Sequence, residues 1–314
     1  MLTLLYHNVL SAPADDLPVA AHQVTLATFR RHIHYFRKNL LHPLEAHEQL
    51  VRGKLPRGIL VTFDDGAAGI VEAGQALAEA GAVGVAFICP GALHSGLWFY
   101  QLADALTRAT VARLKWSRWD LPLTGNRETR TAYALLSGHL FDLAPVTRSA
   151  CMTEIITALQ LSPKMPHPAL TTLDEQGLRK AVLTGGLIFA NHSWSHPNLL
   201  KLSEPELNQE VQAAQDWLDR AGLPYLPWFA FPRGEHDGRV REIVSRFCPI
   251  SFAATAQERE PGVLPRTYIC ELDANPVRFL AKTAWEGGFR RRFLSFGNVR
   301  PQPNGQLAQS HNPE

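Results

Sequence analysis

The stretch ILVTFDDGAAG, Ile59 to Gly69, runs four apolar or β-branched residues into Phe63 and then ends in two adjacent carboxylates and a glycine. The run reads as a buried strand. A plain turn is one reading of its end, because Asp and Gly tolerate unusual backbone angles and bond their own backbone. The surroundings favour another, in which Asp64 and Asp65 are placed for chemistry.

Downstream, the Ala- and Leu-rich segment IVEAGQALAEAG reads as a helix ending at Gly81, a C-cap, and VGVAFICPG as a second buried strand. Such a βαβ crossover implies parallel strands. Upstream, Leu2 to Tyr6 is a short apolar strand, followed by a polar loop and a helix with Phe29, Ile33, Phe36 and Leu40 on one face. From about Gly91 to Ala169 the pattern turns irregular. Trp98, Trp116 and Trp119 sit among basic and apolar residues, and LPLTGNRETR is turn-rich, so this part reads as a mostly helical insertion. Regular alternation resumes with a helix near Leu173 to Leu183, the strand GLIFA, and a helix from Glu204 to Arg220 in which Ser203 and Glu206 have capping-box spacing. The strand WFAF, a helix near Arg239 to Phe247 and the strand ISFAA follow, with no internal repeat. This alternation fits an open doubly wound α/β sheet or a (β/α) barrel, and both put functional groups at the C-terminal ends of strands.

The chain has 314 residues, 46% of them hydrophobic, enough for a sizeable core in one domain with an insertion. A formal net charge of +2 gives no field that implies nucleic acid or an anionic membrane as the main partner. The opening MLTLLYHNVLSAPADD lacks a basic leader and a cleavage site, and no window is apolar enough to span a bilayer. Cys89, Cys151, Cys248 and Cys270 lie far apart with no CxxC pairing, as in a reduced cytoplasmic protein. The polar tail from Pro301 reads as disordered.

The strand GLIFA runs directly into NHSWSHPNL, which supplies His192 and His196. Two imidazoles four residues apart converge on one cation if the segment forms a turn, and a neighbouring carboxylate completes a facial set of one Asp and two His. Such a set leaves open positions for water and substrate, as a catalytic divalent metal needs. An isolated HxxxH is more often incidental. Its place after a strand, in a chain whose other strand ends in Asp-Asp, reverses that weighting.

These residues resemble the polysaccharide deacetylases, carbohydrate esterase family 4. TFDDG at Thr62 to Gly66 and HSWSH at His192 to His196 look like that family's first two motifs, FAFPRG at Phe229 to Gly234 is similar to its third, with Arg233 where an aromatic is usual, and LPR at Leu264 to Arg266 resembles a late segment. The resemblance runs from LLYHNV to about Tyr268. It implies a distorted (β/α) barrel over residues 1–300 with the helical insertion at about 91–169, and residues 301–314 as a tail. It also implies that Asp65, His192 and His196 bind one divalent metal, most readily Zn²⁺, with Co²⁺, Ni²⁺ or Fe²⁺ also suited, and that Asp64 is the general base. The backbone N–H of Arg233 would stabilise the oxyanion. A proton donor for the leaving amine is usually a His in a C-terminal Leu-x-His motif, absent here: after His236 the only histidine is His311. One branch of the family, involved in poly-N-acetylglucosamine processing, is circularly permuted and carries the acid in an N-terminal Tyr-His. LLYHNV resembles that version and nominates His7. Arg266 is a candidate to orient Asp64, with a structural ion pair as the alternative. Glu235, His236 and Asp237 follow the PRG turn as candidates to line the cleft, though Asp237 is equally a helix cap. Trp194 is a candidate platform for a sugar face, or a core residue.

The function implied is hydrolysis of an N-acetyl group from an amino sugar in a glycan or glycan precursor. Deformylation or hydrolysis of another small amide is the same-chemistry alternative, and a catalytically silent carbohydrate-binding protein the alternative of another class. With no visible leader, lipid-linked or nucleotide-linked sugars are favoured over extracellular polymer, and TRATVARLKWSRW in the insertion offers a basic amphipathic face to a membrane-borne substrate.

Overall fold

The computed structural model describes residues 1–254 and 262–291. Strand β1 (Leu2–Tyr6) leads into the short parallel pair β2 (Asn8–Leu10) and β3 (Gln23–Thr25), then α1 (Leu26–Phe36) and α2 (Pro43–Val51). The first full crossover is β4 (Ile59–Phe63), α3 (Ile70–Glu79) and β5 (Gly84–Ile88). Next come α4 (Ala92–Ser95), α5 (Trp98–Thr107), the strands β6 (Arg113–Trp116) and β7 (Trp119–Pro122), α6 (Asn126–Phe141) and α7 (Pro145–Leu159). Then follow α8 (Glu175–Leu183), β8 (Leu187–Asn191), α9 (Glu204–Arg220), β9 (Tyr225–Ala230), α10 (Gly238–Ser245), β10 (Ile250–Phe252), β11 (Val263–Leu264), β12 (Thr267–Tyr268) and α11 (Pro276–Arg291).

Eight strands form one parallel sheet in the order β11-β10-β9-β8-β5-β4-β1-β12. Every residue of β1, β4, β5 and β8 is buried, as expected of parallel strands covered on both faces. Alternate side chains divide between two cores. Leu60, Val85, Phe87, Ile188, Trp228 and Phe252 pack together on the inner face, while Val61, Phe63, Ala86 and Phe189 meet Ile70, Leu77 and Leu178 of the helices. Only Pro265 and Arg266 separate β11 from β12, the two edge strands. Three Cα steps span at most about 11 Å, so the sheet is curled until its edges nearly meet. The result is the α/β half-barrel implied by the sequence, with the strand ends β4 and β8 on the same rim.

The segment between β5 and α8 has its own apolar core, built from Leu102 and Leu106 of α5, Leu136 and Leu140 of α6, and Met152, Ile155 and Leu159 of α7. Two details there differ from the sequence reading. β6 and β7 pair as an antiparallel hairpin, with Trp116 opposite Trp119. NRETR is the first turn of α6 and not a loop, because Ala132, Leu136 and Leu140 carry a buried stripe at four-residue spacing straight out of it. The Ser203 and Glu206 capping box forms as expected, with Ser203 N–H donating to Glu206 Oε2 at 2.8 Å. Asp237 does cap α10, accepting from Val240 N–H at 2.8 Å. No helix of the described residues is long and apolar enough to cross a membrane. The tail from Pro301 lies outside the described residues.

Candidate metal centre

Asp64 still belongs to the sheet, since its N–H donates to Tyr6 O at 3.0 Å. The next two residues leave it: Asp65 has φ 77° and Gly66 φ 81°. That reversal sends the adjacent carboxylates to different groups. It also explains the glycine, because a Cβ there would sit 3.3 Å from Ile88 Cγ2 in a left-handed conformation that L side chains avoid.

The β8 end is built differently. Ser193 (φ 66°) and His196 (φ 53°) are both left-handed non-glycine residues, a state costing roughly 1–3 kcal/mol each unless the surroundings impose it. Here they do. Ser193 N–H donates to Asn191 Oδ1 at 2.8 Å and His196 N–H to Ser193 Oγ at 3.2 Å. Glu210 of α9 accepts from Ser195 N–H at 2.9 Å and from Ser195 Oγ at 2.7 Å. Arg148 of α7 donates to Ser195 O at 3.1 Å, and Trp98 Nε1 of α5 to His196 O at 3.2 Å.

The two rim segments bring Asp65, His192 and His196 together, all buried, with their ligand atoms within 4.8 Å of one another. Asp65 Oδ1 stands 3.4 Å from His192 Nε2 and 3.5 Å from His196 Nε2. Two ligands each about 2.05 Å from a tetrahedral Zn²⁺ lie about 3.3 Å apart, so these edges fit the ion. The donor chemistry fits as well: His192 Nδ1 faces Ala230 O at 2.7 Å, an arrangement that puts the proton on Nδ1 and turns the Nε2 lone pair toward Asp65. Burial opposes the charge on Asp65, but His192, His7 and His196 outweigh it and hold the carboxyl well below the usual range. Burial drives His196 down to about 3, against Asp65, so that imidazole is neutral. For His192 burial is outweighed by Asp64 and Asp65, and its pKa is raised.

Asp64 takes no part in that triangle but borders it, with Oδ2 3.8 Å from His192 Nε2. Arg266, itself fully buried, grips it with both ends of its fork, Nη1 to Oδ1 at 2.6 Å and Nη2 to Oδ2 at 2.7 Å, while Nε donates to Ala253 O at 2.8 Å. Burial opposes ionisation of Asp64, yet Arg266 and His192 outweigh it and lower its pKa. His7 follows β1 directly, and since Tyr6 pairs with Phe63 in the parallel register, it leaves the sheet beside Asp64. Its ring lies 4.9 Å from that of His22 and 5.5 Å from that of Tyr268, and its buried Nδ1 has no hydrogen-bond partner among the described residues. Burial lowers the His7 pKa, while Asp65 and Asp64 pull it up.

The remaining candidates diverge. Arg233 is left-handed (φ 55°) in the turn after β9, and its guanidinium lies 4.1 Å over the Phe141 ring of α6. His236 stacks on Phe231 at 4.5 Å with Nδ1 2.8 Å from Gly234 O. Trp194 packs against the backbone turn at Gly91, where an added Cβ would lie 2.7 Å from its Nε1. Sequence reasoning missed Arg148 and Glu210 as neighbours of the site. A signal existed for the first: Arg148 stands in line with Met152, Ile155 and Leu159, a charge on a buried helical stripe. It also missed Tyr100, whose buried hydroxyl has no hydrogen-bond partner among the described residues and feels the charge of Asp65.

Residues 152–247 match the family model described as polysaccharide deacetylase. No curated protein matches the chain. Among solved structures, the deacetylase PplD of Streptococcus pyogenes, in complex with acetate, is similar at 15% identity and TM-score 0.52, covering 90% of this chain and 97% of that one. IcaB of Ammonifex degensii is similar at 15% identity and TM-score 0.53, covering 90% and 96%. A de-N-acetylase of Aggregatibacter actinomycetemcomitans is similar at 12% identity and TM-score 0.54, covering 90% and 98%. At these identities the likeness speaks for the fold, and the matched segment contains both site histidines. The chain thus carries a polysaccharide deacetylase match over residues 152–247 and shares the fold of these deacetylase structures.

Proposed function

We propose that the protein is a metal-dependent hydrolase that removes the N-acetyl group of an amino sugar. The triangle of Asp65, His192 and His196 with a second, separately held carboxylate at its edge carries this reading. A divalent metal held by those three groups, Zn²⁺ or a similar ion, would polarise the amide carbonyl and lower the pKa of the attacking water. Asp64 accepts that water's proton. The Arg266 fork fixes the carboxylate's plane and keeps it ionised until then. The tetrahedral oxyanion that forms at the carbonyl carbon meets the backbone N–H of Arg233, in the turn at the end of β9. His7, beside Asp64 at the end of β1, then protonates the leaving amine, as in the permuted branch of the family. Burial disfavours its imidazolium, and the charges of Asp65 and Asp64 beside it oppose that effect. Trp194 and His236 border this rim as contacts for the sugar.

The fold shared with a deacetylase bound to acetate and with a de-N-acetylase supports an acetamide as the bond cleaved. The test is acyl release from N-acetyl, N-formyl and N-propionyl hexosamines, and from their lipid-linked and nucleotide-linked forms, by zinc-loaded protein. Acetate release that is lost in Asp64→Asn supports the proposal. Faster formate release would make the protein a deformylase, and no release from any substrate would leave a carbohydrate-binding protein.

A further inference from the structure

The HSWSH loop is gripped from two sides at one residue. Ser195 precedes the ligand His196, and every polar atom of it is engaged by groups from distant elements. Glu210 of α9 accepts from its N–H at 2.9 Å and its Oγ at 2.7 Å. Arg148 of α7, 4% exposed, donates to its O at 3.1 Å, reaches its Oγ at 3.5 Å and reaches His196 O at 3.5 Å. The guanidinium carbon in turn lies 4.9 Å over the ring of Trp98, whose Nε1 donates to the same His196 carbonyl at 3.2 Å. Phe99, next to Trp98, sets its ring 5.0 Å from the His196 imidazole. Two helices of the inserted segment thus close on the one stretch of backbone whose Ser193 and His196 are left-handed without glycine.

We infer that Arg148 and Glu210 are positioning residues of the metal centre, and that the inserted helices serve to hold the His196 ligand in its binding conformation. This rests on the metal-centre reading above. A merely structural role would be to balance a buried charge on α7 against a half-buried one on α9. The geometry asks for more, because the planar fork spans Ser195 and His196 together, and a point charge cannot do so. With the fork removed, the left-handed turn at His196 loses the hydrogen bonds that tie both Ser195 and His196 to α7, and the imidazole is held less firmly. Outer-shell partners of this kind tune metal affinity by about 10- to 100-fold.

The experiment is competition between the protein and a chelating dye for Zn²⁺, with thermal melting of the metal-free protein in parallel. Arg148→Met is expected to bind Zn²⁺ about 10- to 100-fold more weakly. Arg148→Lys restores the charge without the fork and should recover only part of that loss. The double variant Arg148→Met with Glu210→Gln removes the charge imbalance. It should regain melting temperature while keeping the weak zinc binding, and it carries the test if Arg148→Met alone does not fold. Zinc affinity within twofold of wild type in the double variant overturns the inference. Wild-type protein that binds no Zn²⁺ overturns the metal-centre reading itself, a result that no Arg148 variant can mimic.

Discussion

The two rim segments of the site are held in opposite ways. The β4 end, Asp64-Asp65-Gly66, is secured from inside the barrel: Asp64 extends the ladder to β1, and Arg266, crossing between the two sheet edges, closes on it from the seam. The β8 end, Ser193 to His196, is secured from outside, by Glu210 on a covering helix and by Trp98 and Arg148 of the inserted segment. Closing the barrel places Asp64 and Asp65, whereas the backbone at His196 is held in addition by helices of the segment between β5 and α8. A substitution inside should therefore strike turnover or global stability, and one outside should strike metal affinity.

The sharpest separation is expected at Asp64. Asp64→Asn should keep Zn²⁺ and lose turnover by about 10⁴-fold, the upper end for a general base, measured by acetate release and metal content together. Metal loss in step with turnover would place Asp64 among the ligands. His7→Ala comes next, at about 10²- to 10⁴-fold on an acetamide with zinc retained and a smaller loss on an activated ester, whose leaving group needs no proton. Equal losses on both substrates would remove His7 as the acid.

Arg266→Met leaves Asp64 buried and uncompensated, which costs about 3–5 kcal/mol of stability by denaturant titration. A loss no larger than that of an exposed arginine such as Arg52 would break the contrast between inside and outside. Smaller again is a pH effect. Because Asp64 and Asp65 overcome burial and raise the pKa of His192, a proton competes with the metal there. Zinc affinity should be level above that pKa and fall by about tenfold per pH unit below it. Affinity that rose on acidification would contradict this sign. The smallest effect belongs to Trp98→Phe, which keeps the ring and removes one hydrogen bond to His196 O: about 1 kcal/mol, near fivefold in zinc affinity.

Much of the fold was legible because parallel strands buried on both faces write themselves as uninterrupted apolar runs. Leu2–Tyr6, Ile59–Phe63, Gly84–Ile88 and Leu187–Asn191 are of that kind. β11 and β12, two residues each, are too short to show a period, and their place at opposite edges is fixed only by the curl of the sheet. The hairpin β6–β7 alternates exposed and buried residues in a mixed basic and apolar stretch, which gives no clear signal.

Residue chemistry and order along the chain, with the family resemblance they carry, were enough to nominate Asp64, Asp65, His192 and His196, since a carboxylate pair and an imidazole pair each follow a strand in one chain. The sequence by itself determined which atoms could bind a metal and on which rim they stand. Only the tertiary structure decided what holds them. Arg266 reaches Asp64 across 202 positions of sequence, and Arg148 reaches Ser195 across 47. Contacts of that separation exist only once the sheet has curled and the inserted helices have docked, because no local pattern encodes which buried charge will face which.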